Sequence, residues 1–150
     1  MILMLDFDGV LHPDPCYDEA LLFSKLPIVE AALRSAPSAN VVISSTWKNK
    51  RNMTRLQALF SPDIAQRIID VTPEREDFYD LAESIGPTYL RQIEIEAWLR
   101  INNRAWEPWV ALDDKRHWFR PFEKNLILCD PSTGITEDQG ILLQERLASQ

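Results

Sequence analysis

Along the chain, short wholly apolar runs alternate with stretches whose apolar positions recur every three or four residues, and that alternation predicts strands and helices in turn. Ile2-Leu3-Met4-Leu5, Val41-Val42-Ile43, Ile68-Ile69-Asp70-Val71, Trp109-Val110-Ala111-Leu112 and Leu126-Ile127-Leu128-Cys129 read as five strands. Runs with so little polar alternation suit parallel strands covered on both faces. Leu26, Val29 and Leu33 space a first helix up to Ala36-Pro37, and Met53, Leu56 and Phe60 a second that stops near Ser61-Pro62. Leu90, Ile93, Ala97 and Ile101 space a third, and Thr136 with Gln139 forms a capping-box pattern before a last helix carrying Leu143 and Leu147. The expectation is an α/β fold, a Rossmann-like three-layer sandwich around a mainly parallel five-stranded sheet.

The chain of 150 residues is long enough for one domain with a real core, so residues 1–150 are taken as a single domain. Only 35 residues separate Asp8 from Ser44, and one helix with its loops nearly fills them. No large cap fits in that interval. The stretch Thr72 to Pro87 carries five acids and little periodicity, and it reads as a long excursion or small flap.

Composition narrows the class. With 45% hydrophobic and 26% charged residues, and no apolar run near the roughly 18–20 residues of a membrane span, the chain reads as globular with no membrane partner. Met1 leads directly into the first strand without a basic leader, so the expected location is cytoplasmic. Cys16 and Cys129 are expected as free thiols, and two histidines, His12 and His117, argue against a zinc site. A net charge of −7 argues against general binding to nucleic acid or anionic membrane unless a local basic patch overrides it.

The candidate chemistry collects at strand ends. Asp6 and Asp8 follow the first strand at a spacing of two, which turns both carboxyl groups to one side, and Gly9 lets the backbone bend sharply behind them. Two converging carboxylates are tolerated when they share a divalent cation or when one holds a proton. A solvated turn is the plain alternative; a calcium loop fits poorly, because Pro13 and Pro15 intervene and helical flanks are missing. The second strand ends in Ser44-Ser45-Thr46-Trp47-Lys48, hydroxyls and a cation suited either to a phosphate oxygen or to capping the next helix. The fourth ends in Asp113-Asp114, and adjacent acids there are hard to explain as packing. Lys115, Arg116, Arg120 and Lys124, interleaved with Trp118, Phe119 and Phe122, then form a candidate substrate rim or an ordinary amphipathic loop.

In this order the three clusters resemble the haloacid dehalogenase-like (HAD) phosphohydrolase superfamily. Asp6-Phe7-Asp8-Gly9-Val10 looks like its first motif, Ser44 like its second and Asp113-Asp114 like its fourth; the Ser-Ser-Thr-Trp-Lys segment and the late Asp-Pro-Ser-Thr-Gly-Ile-Thr look like a small cap-poor branch, similar to the HAD domains of RNA-repair proteins. The resemblance implies a phosphatase in which Asp6 is the nucleophile, Asp8 the acid and then the base, and Ser44 a phosphoryl-oxygen ligand. It implies a magnesium ion held by Asp6, the main-chain carbonyl of Asp8, and Asp113 with Asp114 as partner or substitute. The third motif needs one cation, for which Arg91 and Lys48 compete, Arg91 being favoured. Ser45, Lys48, Arg116 and Arg120 are expected to bind substrate, a phosphate ester on a nucleotide or nucleic-acid end. A phosphoacceptor receiver domain uses similar parts with the acidic pair first and the accepting aspartate later, the reverse of the order here. A non-catalytic scaffold of the same fold would not need Asp8.

Overall fold

The computed structural model describes residues 1–74, 77 and 89–149. Five strands, β1 (Ile2–Leu5), β2 (Asn40–Ile43), β3 (Ile68–Val71), β4 (Trp109–Asp113) and β5 (Leu126–Leu128), form one sheet in the order β3-β2-β1-β4-β5. Every pairing is parallel. The helices are α1 (Leu26–Ser35), α2 (Met53–Gln57), α3 (Pro62–Ala65), α4 (Leu90–Ile101) and α5 (Glu137–Ala148).

Alternation along each strand splits the core in two. Leu3, Leu5, Val41, Ile43, Val110 and Leu112 face α1, α3 and α5, whereas Ile2, Met4, Val42 and Ala111 face Ile95, Trp98 and Leu99 of α4 and Phe119. All four β1 residues are buried because a helical layer covers each face, which explains their uninterrupted apolar run. The fold is therefore the three-layer, all-parallel sandwich expected.

Two expectations need adjusting. The second predicted helix is only α2, ending at Gln57; Phe60 lies beyond it, and a separate turn, α3, starts at Pro62. Pro62 sits in the first turn of α3, where the absent N–H is not missed. The stretch Thr72–Pro87 lies mostly outside the described residues, apart from Thr72 to Glu74 and Asp77.

The topology decides where the chemistry sits. The chain moves outward from β1 through β2 to β3, then crosses to β4 on the other flank of β1, so the sheet reverses its winding between β1 and β4. Ligands of open parallel sheets bind outside the carboxyl ends of the strands at that reversal. A loop after β5 buttresses the turn that follows β1: Ile135 N donates to Val10 O (2.8 Å) and Asp14 N to Pro131 O (2.8 Å). Gly134 allows this approach, with φ +72° and Val10 O only 2.7 Å from where a Cβ would be.

Helices α1 and α5 meet closely at Gly140, where a Cβ would overlap Ile28 Cγ2. Alanine there gains up to about 1 kcal/mol of helix propensity but overpacks a contact with a stiff β-branched side chain, a cost of about 1–3 kcal/mol. Gly140→Ala is expected to lower stability in urea unfolding, and Ile28→Ala added to it to recover part of the loss. A more stable Gly140→Ala protein would show that the two helices do not meet at this point.

Candidate active site

The end of β1 delivers Asp6 and the end of β4 delivers Asp113 and Asp114, with Asp6 N donating to Leu112 O (3.1 Å) across the reversal. Carboxylate oxygens of these three residues lie within 4.8 Å of one another, and all three side chains are buried. Asp113 is well provided for: its Oδ2 accepts from Arg91 Nε (2.9 Å) and its Oδ1 from Lys115 N (2.8 Å). Asp114 is not, since both of its oxygens are buried without a hydrogen bond among the described residues. The Lys115 ammonium stands 3.2 Å from Asp114 Oδ2 as an ion pair, without the alignment of a hydrogen bond. Gly9, at φ +76°, makes room for this carboxylate, because a Cβ there would overlap Asp114 Oδ2.

Three buried carboxylates with two orphaned oxygens form a hard, oxygen-only donor set of the kind magnesium prefers. The electrostatics agree. Burial, and then the charge of Asp113, push the Asp6 carboxyl well above the usual carboxylate range, with Arg91 pulling the other way. Burial likewise raises Asp113 against the pull of Arg91. A cation placed among them would restore the ionised form that a nucleophile needs.

Of the two candidates for the third-motif cation, Arg91 is the one beside the cluster. Its guanidinium binds Asp113, stands 3.8 Å from Asp6 Oδ1 and 3.5 Å from Glu94 Oε2, and lies over the Trp118 ring at 5.2 Å. Burial works against its charge, but Asp113, Asp6 and Glu94 outweigh that and keep it raised. Lys48 points to a different set of oxygens, donating to Thr72 O and Oγ1 (both 2.9 Å) and lying 3.5 Å from Glu94 Oε2. Glu94 thus joins the two cations, a link the sequence reading did not foresee.

Asp8 stands apart from the three-carboxylate cluster. Its side chain is 41% exposed, and its Oδ1 accepts from His12 Nε2 (2.8 Å) and Trp47 Nε1 (3.0 Å). The Phe23 N–H donates to His12 Nδ1 (3.3 Å), which leaves the proton of a neutral ring on Nε2, facing Asp8. The His12 hydrogen bond, opposed by burial and aided by Trp47 and Lys50, holds Asp8 below the usual carboxylate range. His12 is buried among Phe23 and Trp47. Its position between Leu11 and Pro13, four residues past Asp8 in a strand-end loop, was the only sequence signal for this role.

Ser44 is buried with an Oγ that has no hydrogen-bond partner among the described residues, as a group awaiting an outside ligand would be. Ser45 Oγ instead accepts from Trp47 N (3.3 Å) and caps the short helical turn Thr46–Asn49. The proposed basic-aromatic rim is largely occupied with itself. Arg116 donates to the carbonyls of Phe119 and Arg120, the Arg120 guanidinium pairs with Glu96 of α4, and Phe119 is buried in the second core. Sequence shows a cluster of cations but not their partners; here Arg116 and Arg120 fasten this loop to itself and to α4.

These environments have a measurable consequence. A raised carboxyl pKa means the folded state binds its proton more tightly than the unfolded chain, so in metal-free protein the stability from a protonated Asp6 is lost as pH rises through its folded value. Asp6→Asn removes that loss. Thermal unfolding in EDTA is expected to show Asp6→Asn gaining on wild type as pH rises above the ordinary carboxylate range, and magnesium narrowing the gap by stabilising only the wild type. A gap that is independent of pH would contradict the electrostatic account.

Comparison with curated proteins and with solved structures finds no match. Residues 2–139 match the family described as HAD domain in Swiss Army Knife RNA repair proteins, a span that includes every strand and each of the strand-end clusters. The chain belongs to that family of HAD domains.

Proposed function

We propose that this HAD domain is a magnesium-dependent phosphomonoester hydrolase that works through an aspartyl phosphate on Asp6, with a phosphorylated nucleotide or nucleic-acid end as substrate. The observation that carries the reading is Asp114: a buried carboxylate without a hydrogen bond among the described residues, paired with the Lys115 ammonium at 3.2 Å and packed against Asp6 and Asp113 at the sheet reversal. A purely structural site has no need of three buried carboxylates gathered at one point.

Asp6, Asp113, Asp114 and the main-chain carbonyl of Asp8 would hold the magnesium. When bound, it supplies positive charge that offsets the carboxylates and the negative charge gathering on the transferring phosphoryl group. Asp6 attacks phosphorus as its bond to the leaving oxygen breaks, and Asp8, ionised in the free site, gives that oxygen a proton taken up with the substrate, whose negative charge opposes the pull of His12, Trp47 and Lys50. Asp8, now a carboxylate, takes a proton from water whose oxygen attacks the phosphoryl group, freeing Asp6 and returning the proton to Asp8. His12 and Trp47 fix Asp8 by one oxygen and leave the other for this transfer. Arg91 braces Asp6 and Asp113, and the Ser44 hydroxyl is available for a phosphoryl oxygen.

Hydrolysis of p-nitrophenyl phosphate is expected with magnesium, absent with EDTA, and weak with calcium, whose larger and looser shell misaligns attack. Asp6→Asn is expected to abolish turnover and the phosphoenzyme, and Asp8→Asn to slow turnover by ~10²–10⁴-fold. Turnover of wild-type magnitude by Asp6→Asn, or by protein with both Asp113→Ala and Asp114→Ala, would rule the mechanism out.

A further inference from the structure

Next to Asp8, and away from the buried carboxylates, lies a cleft of about 590 Å³ lined by Asp8, Thr46, Trp47, Lys50, Arg51 and Arg55. Its size falls within the range of small-molecule sites. Its charge is unusual for this chain. Acids outnumber bases by 23 to 16 overall, yet Asp8 is the one acid of the lining, against three cations. None of Lys50, Arg51 and Arg55 forms an ion pair among the described residues, in contrast to Arg34, Arg104 and Arg120, which each hold a carboxylate.

The cleft is tied mechanically to the reaction centre. Trp47 donates its indole N–H to Asp8 Oδ1 (3.0 Å), and the Arg51 guanidinium lies over the Trp47 ring at 4.9 Å. One aromatic side chain therefore fixes both the proton donor and a cation of the cleft. Lys50 is close enough to help lower the Asp8 pKa. Residues 46–55 hold this arrangement with a pair of caps: Ser45 caps the turn Thr46–Asn49, and the Asn52 side chain accepts from Arg55 N at the start of α2.

We infer that this cleft receives the leaving group and that Lys50, Arg51 and Arg55 recognise a further phosphate carried by it. The inference rests on the hydrolase reading, in which Asp8 protonates the leaving oxygen, so whatever is attached to that oxygen lies against the surface that Asp8 lines. A neutral alcohol there would leave three cations facing solvent. A leaving group with a second phosphate meets them with charge-assisted hydrogen bonds, the arginines through their planar forks. Both a nucleoside bisphosphate and the phosphorylated end of an oligonucleotide have that chemistry. The specificity residues then belong to the segment after β2, not to the loop holding Arg116 and Arg120.

The test compares kcat/KM for adenosine 3′,5′-bisphosphate and for a 5′-phosphorylated trinucleotide, each divided by the value for p-nitrophenyl phosphate, which has no second phosphate. Wild type is expected to favour the charged substrates, with a preference that weakens as salt rises. Lys50→Gln/Arg51→Gln/Arg55→Gln is expected to lower both ratios by about tenfold, as three partly exposed charge contacts would. Arg51→Lys/Arg55→Lys, which conserves the charge, is expected to keep much of the preference. A larger fall for the trinucleotide identifies a polynucleotide end as the source of the phosphate; equal falls identify the second phosphate alone. Ratios unchanged by the triple substitution, with p-nitrophenyl phosphate still turned over, overturn the cleft and leave the hydrolase reading standing. If wild type turns over none of the three, the hydrolase reading fails, and equilibrium binding decides the cleft by itself. Adenosine 3′,5′-bisphosphate binding to Asp6→Asn should then weaken about tenfold with the three cations removed, and equal affinity overturns the inference.

Discussion

Three carboxylates held out of water at the ends of two adjacent strands are the constraint to which the rest of this fold answers. Charges so placed repel one another and have lost their hydration, so they persist only where positive groups and hydrogen-bond donors surround them. Helix α4 brings Arg91 to Asp113 and Asp6, the backbone N–H of Lys115 serves Asp113, and the ammonium of Lys115 approaches Asp114. Glycine at position 9 is required by the same crowding, since any larger residue would overlap Asp114. The loop around Gly134 then holds the turn after β1 from outside. Packing alone would not select this set of residues.

Asp6 and Asp8, two residues apart, are driven in opposite directions by their surroundings. Asp6 is buried next to like charge and rises; Asp8 is half exposed, accepts from His12 and Trp47, and falls. Paired carboxylates with divergent environments are a sign of divided labour in a site. The strand accounts for the divergence. Asp6 directly extends β1 and is enclosed by β4 beside it, whereas Asp8 lies past the sheet in the turn closed by Gly9 and His12. Its two neighbours come from separate segments, one four residues on and one from the turn after β2.

The fold was legible because a parallel sheet covered on both faces writes itself as short apolar runs, and all five were found within a residue or two. The strand-end clusters were legible for the same reason, since strands of one direction bring all their carboxyl ends to one edge. What could not be read was pairing. Arg91 and Lys48 were both candidates for one role, but Arg91 on α4 turns to Asp113 while Lys48, in the turn after β2, reaches Thr72. The cations at 116 and 120 stand out because they follow the acidic pair, whereas nothing in the sequence singles out Lys50, Arg51 and Arg55. The second helix was overextended because Phe60 keeps a helical interval from Leu56 while the chain has already left the helix to form a tight turn before Pro62.

Burial across the site is graded, and the gradient orders its chemistry. On the inner side, Asp6, Asp113 and Arg91 are all but closed to solvent, so their charges act on one another at full strength, with little screening by water or salt. On the outer side Asp8 keeps 41% of its side chain exposed, within reach of water. Such a boundary position, fixed by one oxygen and free at the other, suits the proton transfers that the proposed mechanism assigns to Asp8. His12 is what allows it. Buried and locked in one tautomer by the Phe23 N–H, it can only donate to Asp8, so the carboxylate is held in place without being withdrawn from solvent. Electrostatic strength and proton access, which conflict when demanded of a single residue, are separated here by two positions along one strand end.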